Sequence, residues 1–323
     1  MYQQYPSAVP QASELTRHNY RQLRRHSLFV GICLLGYFAL QEILTVVMMF
    51  FKLGDAYNTV PAFQYALGAF AFSFVAMFVP FFFYSLRKGR ASYFNVLPFH
   101  TPQPRKKLIL IVLAGWAICI GGNYIATLAS FLFDVVGVEL FTPDVTPSST
   151  PLDVIMNFVC AGFMAPLVEE FVFRGVIMQP LRRYGDVFAV LITAALFALA
   201  HGNPVSVIFA FVAGVSIGFA VTYTRSLWVG IIIHALNNFT SVLVTEVERF
   251  APDAINVVYT VFCTALTVVG IICIVIYGRT YGFRLSRDTS GVGGGKKFFG
   301  FFVTATMIPA LLYLLYTMSK YFL

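Results

Sequence analysis

Nine apolar runs, at roughly 28–51, 62–86, 108–133, 152–180, 187–201, 204–223, 226–245, 254–278 and 298–318, divide this chain of 323 residues. About 20 apolar residues match the hydrocarbon core of a bilayer, in which a helix satisfies its own backbone groups. The pattern specifies an all-α polytopic membrane protein of about eight to nine transmembrane helices. The run at 187–201 is short of that length, so the partition of 187–223 is the least constrained. Composition agrees, with only 11% charged residues against roughly 25% in soluble domains.

Loop charges orient the chain by the basic-residue rule. Arg87, Lys88, Arg90, Arg105, Lys106 and Lys107 follow the second run, Arg182 and Arg183 the fourth, Arg225 the sixth, and Arg279, Arg284, Arg287, Lys296 and Lys297 the eighth. The alternate loops hold Asp55, then Asp134, Glu139 and Asp144, then Glu246, Glu248 and Asp253, with Lys52 and Arg249 as lone cations. Strict alternation places the N-terminus inside and the C-terminus outside. The net charge of +8 is thereby used by topology signals, and no nucleic-acid partner is expected. Residues 1–27, ending in Arg17, Arg21, Arg24 and Arg25, form a polar cytoplasmic tail, partly disordered. The first apolar run is too long for a signal h-region and is expected to be a retained signal anchor. A helical membrane core fills 28–285. Ser286–Gly295 (SRDTSGVGGG) has the composition of a flexible linker, here 286–297, leading to a C-terminal transmembrane helix over 298–323 as an appendage. The five cysteines all lie inside apolar runs without metal-ligand spacing and are expected to be buried hydrophobes. No organelle signal is evident, which points to an integral protein of a bacterial plasma membrane.

The fourth run contains Glu169-Glu170-Phe171-Val172-Phe173-Arg174. Ionisable groups at membrane depth cost a few kcal/mol each, face protein or water, and mark function. Two downstream stretches answer it, Phe197-Ala198-Leu199-Ala200-His201 and His234-Ala235-Leu236-Asn237-Asn238. Counted from the basic turns, Glu169 lies about 13 residues up its helix, His201 about 15 and Asn238 about 13, so all reach roughly 20 Å. Glu170 and Arg174, at i and i+4, have an ion pair available, and Glu169 is turned about 100° away from Glu170. Pro166 removes a backbone donor and favours a kink. His234 and Asn238 also share a face, with Asn237 off it. Phe197 is expected to pack, and Gln41, Glu42 and Asn123 to make interhelical hydrogen bonds. The small-residue ladder Ala210, Gly214 and Gly218 is expected to serve close helix packing. A desolvated carboxylate suits proton abstraction from water, a histidine can share that water, and a second histidine with a carboxamide can stabilise an oxyanion.

In this order, EEFVFR, FALAH and HALNN resemble the EExxxR, FxxxH and HxxxN signatures of the CAAX-protease and bacteriocin-processing (CPBP, or Abi) family of intramembrane endopeptidases, over roughly residues 150–245. The resemblance implies an active site within the membrane in which Glu169 activates water and His201 assists. It also implies that His234 and Asn238 line the oxyanion site, with Glu170 and Arg174 in support. The implied substrate is a membrane-associated protein or peptide, either prenylated or matured by bacterial relatives. No cofactor is expected. The alternative is zinc held by Glu169, His201 and His234, which imitate a two-histidine, one-glutamate ligand set. The competing functional reading is a non-catalytic immunity or scaffold protein whose cavity binds a partner. The sequence carries no sign of oligomeric state.

Overall fold

Each apolar run becomes helical in the computed structural model, which describes residues 12–87, 98–102, 104–138 and 147–322. The topology charges Lys88, Arg90, Glu139 and Asp144, and the first part of the polar tail, lie outside the described residues. The helices are α1 (Ala12–Phe50), α2 (Pro61–Leu86), α3 (Arg105–Val135), α4 (Pro151–Tyr184), α5 (Asp186–Leu199), α6 (Pro204–Thr224), α7 (Leu227–Glu248), α8 (Pro252–Tyr281), α9 (Gly294–Phe302) and α10 (Met307–Ser319). Among the described residues, seven are long and apolar enough to cross a membrane, or eight counting α9 and α10 as one bent span. The protein is thus an all-α integral membrane protein. Helix α5 has 14 residues, about 21 Å, and does not span by itself.

Prolines shape the helices that carry the site. Three stretches, Gly68–Phe78 in α2 and Phe158–Met164 and Phe171–Ile177 in α4, widen to i→i+5 hydrogen bonding. Each ends two or three residues before a proline, namely Pro80, Pro166 and Pro180. A proline has no N–H for the carbonyl four residues back, and here each is preceded by a turn in wider register. In these turns Val79 N–H donates to Phe74 O, Ala165 N–H to Cys160 O and Met178 N–H to Phe173 O. Pro166 thus follows directly on a widened stretch of α4.

Polar ties clamp this set together. Thr150 and Asp153 form a capping box at the start of α4, and Asp153 also accepts from Ala62 N–H at 2.9 Å, joining the starts of α2 and α4. At the far end of α7, buried Glu246 accepts from Ser148 at 2.6 Å and Asn157 at 3.0 Å. A Cβ at Gly214 would lie 3.1 Å from Ala194 Cα, and one at Gly218 would lie 2.9 Å from Val190 Cγ1, so this ladder seats α6 closely on α5.

The two chain ends differ from expectation. Residues 12–27 are not a disordered tail but the first turns of α1, with Asn19, Leu23, His26 and Ser27 buried. His26 bridges three helices, its Nδ1 2.6 Å from Tyr84 Oη and its Nε2 3.1 Å from Ile177 O. The segment expected as a flexible linker is pinned to the turn between α4 and α5. Asp186 N–H donates to Ser286 O at 3.1 Å, Ser286 N–H donates to Asp186 Oδ2 at 2.6 Å, and Asn19 donates to Ser290 O at 3.0 Å. Composition missed this because its partners lie 100 and 271 residues away. The last run is also not a straight rod: α9 and α10 meet at 74°. The break at 303–306 packs against α1, where a Cβ on Gly31 would come within 2.7 Å of the Met307 backbone. Ser27 donates to Phe301 O, and Thr306 donates to Leu28 O at 2.7 Å, which supplies partners for backbone carbonyls beside the break.

Asp186 is 1% exposed and also holds Arg182 Nε at 2.8 Å, so one carboxylate fixes both the α4–α5 turn and residue 286. Replacing it by alanine is expected to lower stability by about 2 kcal/mol. Limited trypsin digestion should then cut at Arg284 and Arg287 faster than in the wild type.

Candidate active site

The two glutamates occupy the short α-helical interval Ala165–Glu170 between the two widened stretches of α4. Glu170 is 0% exposed and receives Arg174 Nη1 at 2.8 Å and His234 Nδ1 at 2.9 Å on the same oxygen, Oε1. Arg174 Nη2 donates to Gly214 O at 3.2 Å, reaching α6 where the glycine ladder lets the backbones approach. Gly230, one turn before His234, leaves room for this carboxylate: a Cβ there would stand 3.0 Å from Glu170 Oε2. A glycine in a helix interior costs about 1 kcal/mol relative to alanine. That cost, with the four-residue spacing to His234, was the available sequence signal for Gly230.

Glu169 faces differently. Its side chain keeps 19% exposure, and its Oε2 lies 3.8 Å from His234 Nε2, beyond hydrogen-bond length. That oxygen is buried and has no hydrogen-bond partner. Acceptance by Glu170 places the Nδ1 proton of His234, so its Nε2 is the nitrogen turned to Glu169. His201 makes no hydrogen bond or ion pair with Glu169. Its Nδ1 sits 2.8 Å from Phe197 O, which assigns the proton to Nδ1 and leaves Nε2 as an acceptor. Phe197, expected only to pack, is the common wall: His201 meets its ring at 4.7 Å, His234 at 5.7 Å and the Arg174 guanidinium at 4.4 Å.

Asn238 lies one turn beyond His234 and donates to Ala161 O at 2.9 Å, in the first widened stretch of α4. Asn237, expected off the functional face, donates to Asn238 Oδ1 at 3.3 Å, and its own buried Oδ1 has no partner. Both carboxamides and His201 line a cavity of about 450 Å³ with Asn123, Ser206 and Tyr259. Its lining contains no Asp, Glu, Lys or Arg. Asn123 lines this cavity and makes the expected interhelical bond, to Tyr259 of α8; Glu42 likewise bonds Tyr313 at 2.6 Å, whereas Gln41 bonds within α1 to Tyr37. Among the described residues no three His, Cys, Asp or Glu side chains are grouped closely enough in this arrangement to hold one ion. His201 and His234 are thus neighbours around Phe197.

Residues 151–240 match the family model described as Rce1-like, type II CAAX prenyl endopeptidase Rce1-like. Over 180 residues the chain is 27% identical to the membrane-embedded CAAX protease MroQ of Staphylococcus aureus (strain USA300), a stretch covering 51% of this chain and 71% of that protein. No solved structure matches the chain. The family match falls on the segment that supplies Glu169, His201 and His234, and over that segment the chain resembles CAAX-type membrane proteases.

Proposed function

We propose that this protein hydrolyses a peptide bond of a membrane-associated protein or peptide by a metal-free mechanism with Glu169 as general base. The observation that carries the reading is the buried, unpartnered Oε2 of Glu169 beside His234 Nε2. Glu170 Oε2 is also unpartnered, but the Glu170 side chain is 0% exposed whereas that of Glu169 is 19% exposed, so Glu169 is the carboxylate suited to meet water.

The pairing geometry supports the assignment of roles: Arg174 Nη1 and His234 Nδ1 both meet Glu170 Oε1, so His234 turns Nε2 toward the site. In the reaction that nitrogen donates to the oxyanion. Water, held by Glu169 and the acceptor Nε2 of His201, loses a proton to Glu169 as its oxygen bonds to the scissile carbonyl carbon. The carbonyl electron pair moves to oxygen, where His234 and the remaining N–H of Asn238 stabilise it. Collapse breaks the C–N bond, and the proton on Glu169 passes to the departing amine. Glu170 and Arg174 position His234.

Glu169→Gln is expected to lower cleavage by about 10²–10⁴-fold, the contribution of a positioned general base. The test compares new protein N-termini by mass spectrometry in membranes carrying equal amounts of wild type or variant; termini shared equally by both would overturn the assignment and favour the partner-binding reading. Glu170→Gln leaves buried Arg174 without its counter-charge, and breaking a buried pair costs about 3–5 kcal/mol. Its effect should therefore appear as a lower melting temperature in detergent as well as lost turnover, whereas Glu169→Gln should lower turnover alone. Treatment of the purified protein with 1,10-phenanthroline should leave cleavage unchanged; inhibition that stoichiometric zinc reverses would replace the glutamate mechanism with a metal one.

A further inference from the structure

A second cavity, of about 380 Å³, lies at the basic-loop end of the bundle, one length of α5 from His201. Four segments converge on it: His100 and Lys107 at the start of α3, Arg182 and Asp186 at the α4–α5 turn, Thr224 and Arg225 at the end of α6, and Arg284 with Ser286 beyond α8. The four Lys and Arg side chains face a single carboxylate, Asp186. That carboxylate is already engaged, by Arg182 Nε at 2.8 Å and Ser286 N–H at 2.6 Å. Lys107, Arg225 and Arg284 have no ion-pair partner among the described residues. Orientation alone requires that such residues lie on one side of the membrane. It does not require four of them around one concavity.

An apolar groove of about 350 Å³ continues from this cavity between α3, α6 and α8, lined among others by Ile111, Ile118, Phe211, Val215 and Phe283. Tyr223 lines both, Phe283 adjoins Arg284, and Ile111 stands one turn above Lys107. Along α6 the groove runs from Tyr223 to Phe211, 12 residues or about 18 Å, comparable with one leaflet of a hydrocarbon core about 30 Å thick. An uncompensated cationic pocket at the interface, opening into an apolar channel one leaflet deep, matches the two parts of one molecule. Basic pockets between membrane helices on the cytoplasmic side are suited to anionic headgroups.

We propose that this composite site binds one anionic phospholipid, its phosphate among Lys107, Arg225 and Arg284 and an acyl chain in the groove beside Val215. The site is separate from the hydrolytic residues and does not depend on their assignment. Bound there, the lipid neutralises the cations left by Asp186 and joins α3, α6 and the segment after α8.

The test is native mass spectrometry of the full chain from a neutral detergent, with equimolar phosphatidylglycerol and phosphatidylcholine of the same acyl chains. The wild type should retain one phosphatidylglycerol at least about tenfold over phosphatidylcholine. Lys107→Gln with Arg284→Gln should remove most of that preference, at roughly fivefold per charge. Val215→Phe, which fills the groove, should reduce retention of both lipids. Millimolar inorganic phosphate should not displace the lipid. Equal retention of the two lipids by wild type, or unchanged preference in the double variant, would overturn the proposal. Displacement by phosphate at the lipid's own concentration would assign the cavity to a soluble anion instead. Should the double variant lose its gel-filtration profile, a salt titration of the wild type decides: phosphatidylglycerol retention must fall as ionic strength rises, and a flat response counts against the site.

Discussion

The structure depends on burying the Glu170 carboxyl inside a membrane-spanning helix with its partners in place. A lone carboxylate there is costly, and it is tolerated because α4 and α7 each aim a donor at the same oxygen, Arg174 at 2.8 Å and His234 at 2.9 Å. That requirement draws in further elements. Arg174 must also reach a carbonyl of α6, which the glycine ladder brings close, and α7 must present no side chain at 230. Helices α4, α6 and α7 are thus fixed relative to one another by one carboxylate. Glu169 beside it inherits a defined position without sharing in the pairing.

The widened turns of α4 extend the same logic. They flank the six residues that carry the glutamates, and the first offers the carbonyl of Ala161 to Asn238. A backbone carbonyl in the widened stretch of one helix is thereby satisfied by a carboxamide on another. The contact also aligns the polar cavity with His201. Wider helical turns recur at functional sites because they free backbone groups and redirect side chains.

Contacts within one helix, and the depth of each motif, were legible in the sequence. The Glu170–Arg174 pair follows from i, i+4 spacing, and the shared layer of the three motifs follows from counting residues from basic turns. The partner choices between helices were not. His234 and Asn238 share a face, but one turn of separation sends the first to Glu170 and the second to Ala161 O, because α4 passes them at different heights. His26 looked like part of a polar tail since its partners, Tyr84 and Ile177, lie 58 and 151 residues away. The glycine-rich run after α8 has a linker's composition but a docked strap's contacts. Composition reports what a segment could do alone, and here the deciding groups belong to other helices.

The packing of α9 and α10 against α1 bears on the order in which the chain folds. Asn19, Ser27 and Leu28 O find their partners at residues 290, 301 and 306, more than 270 positions later. Contacts of such separation carry a large loop-closure cost and form late. During vectorial insertion α1 therefore waits with its notch at Gly31 unfilled until the last segment emerges. Any factor that shields polar groups in nascent membrane segments would engage this chain at its first helix, and release from it would coincide with closure of the bundle by its last.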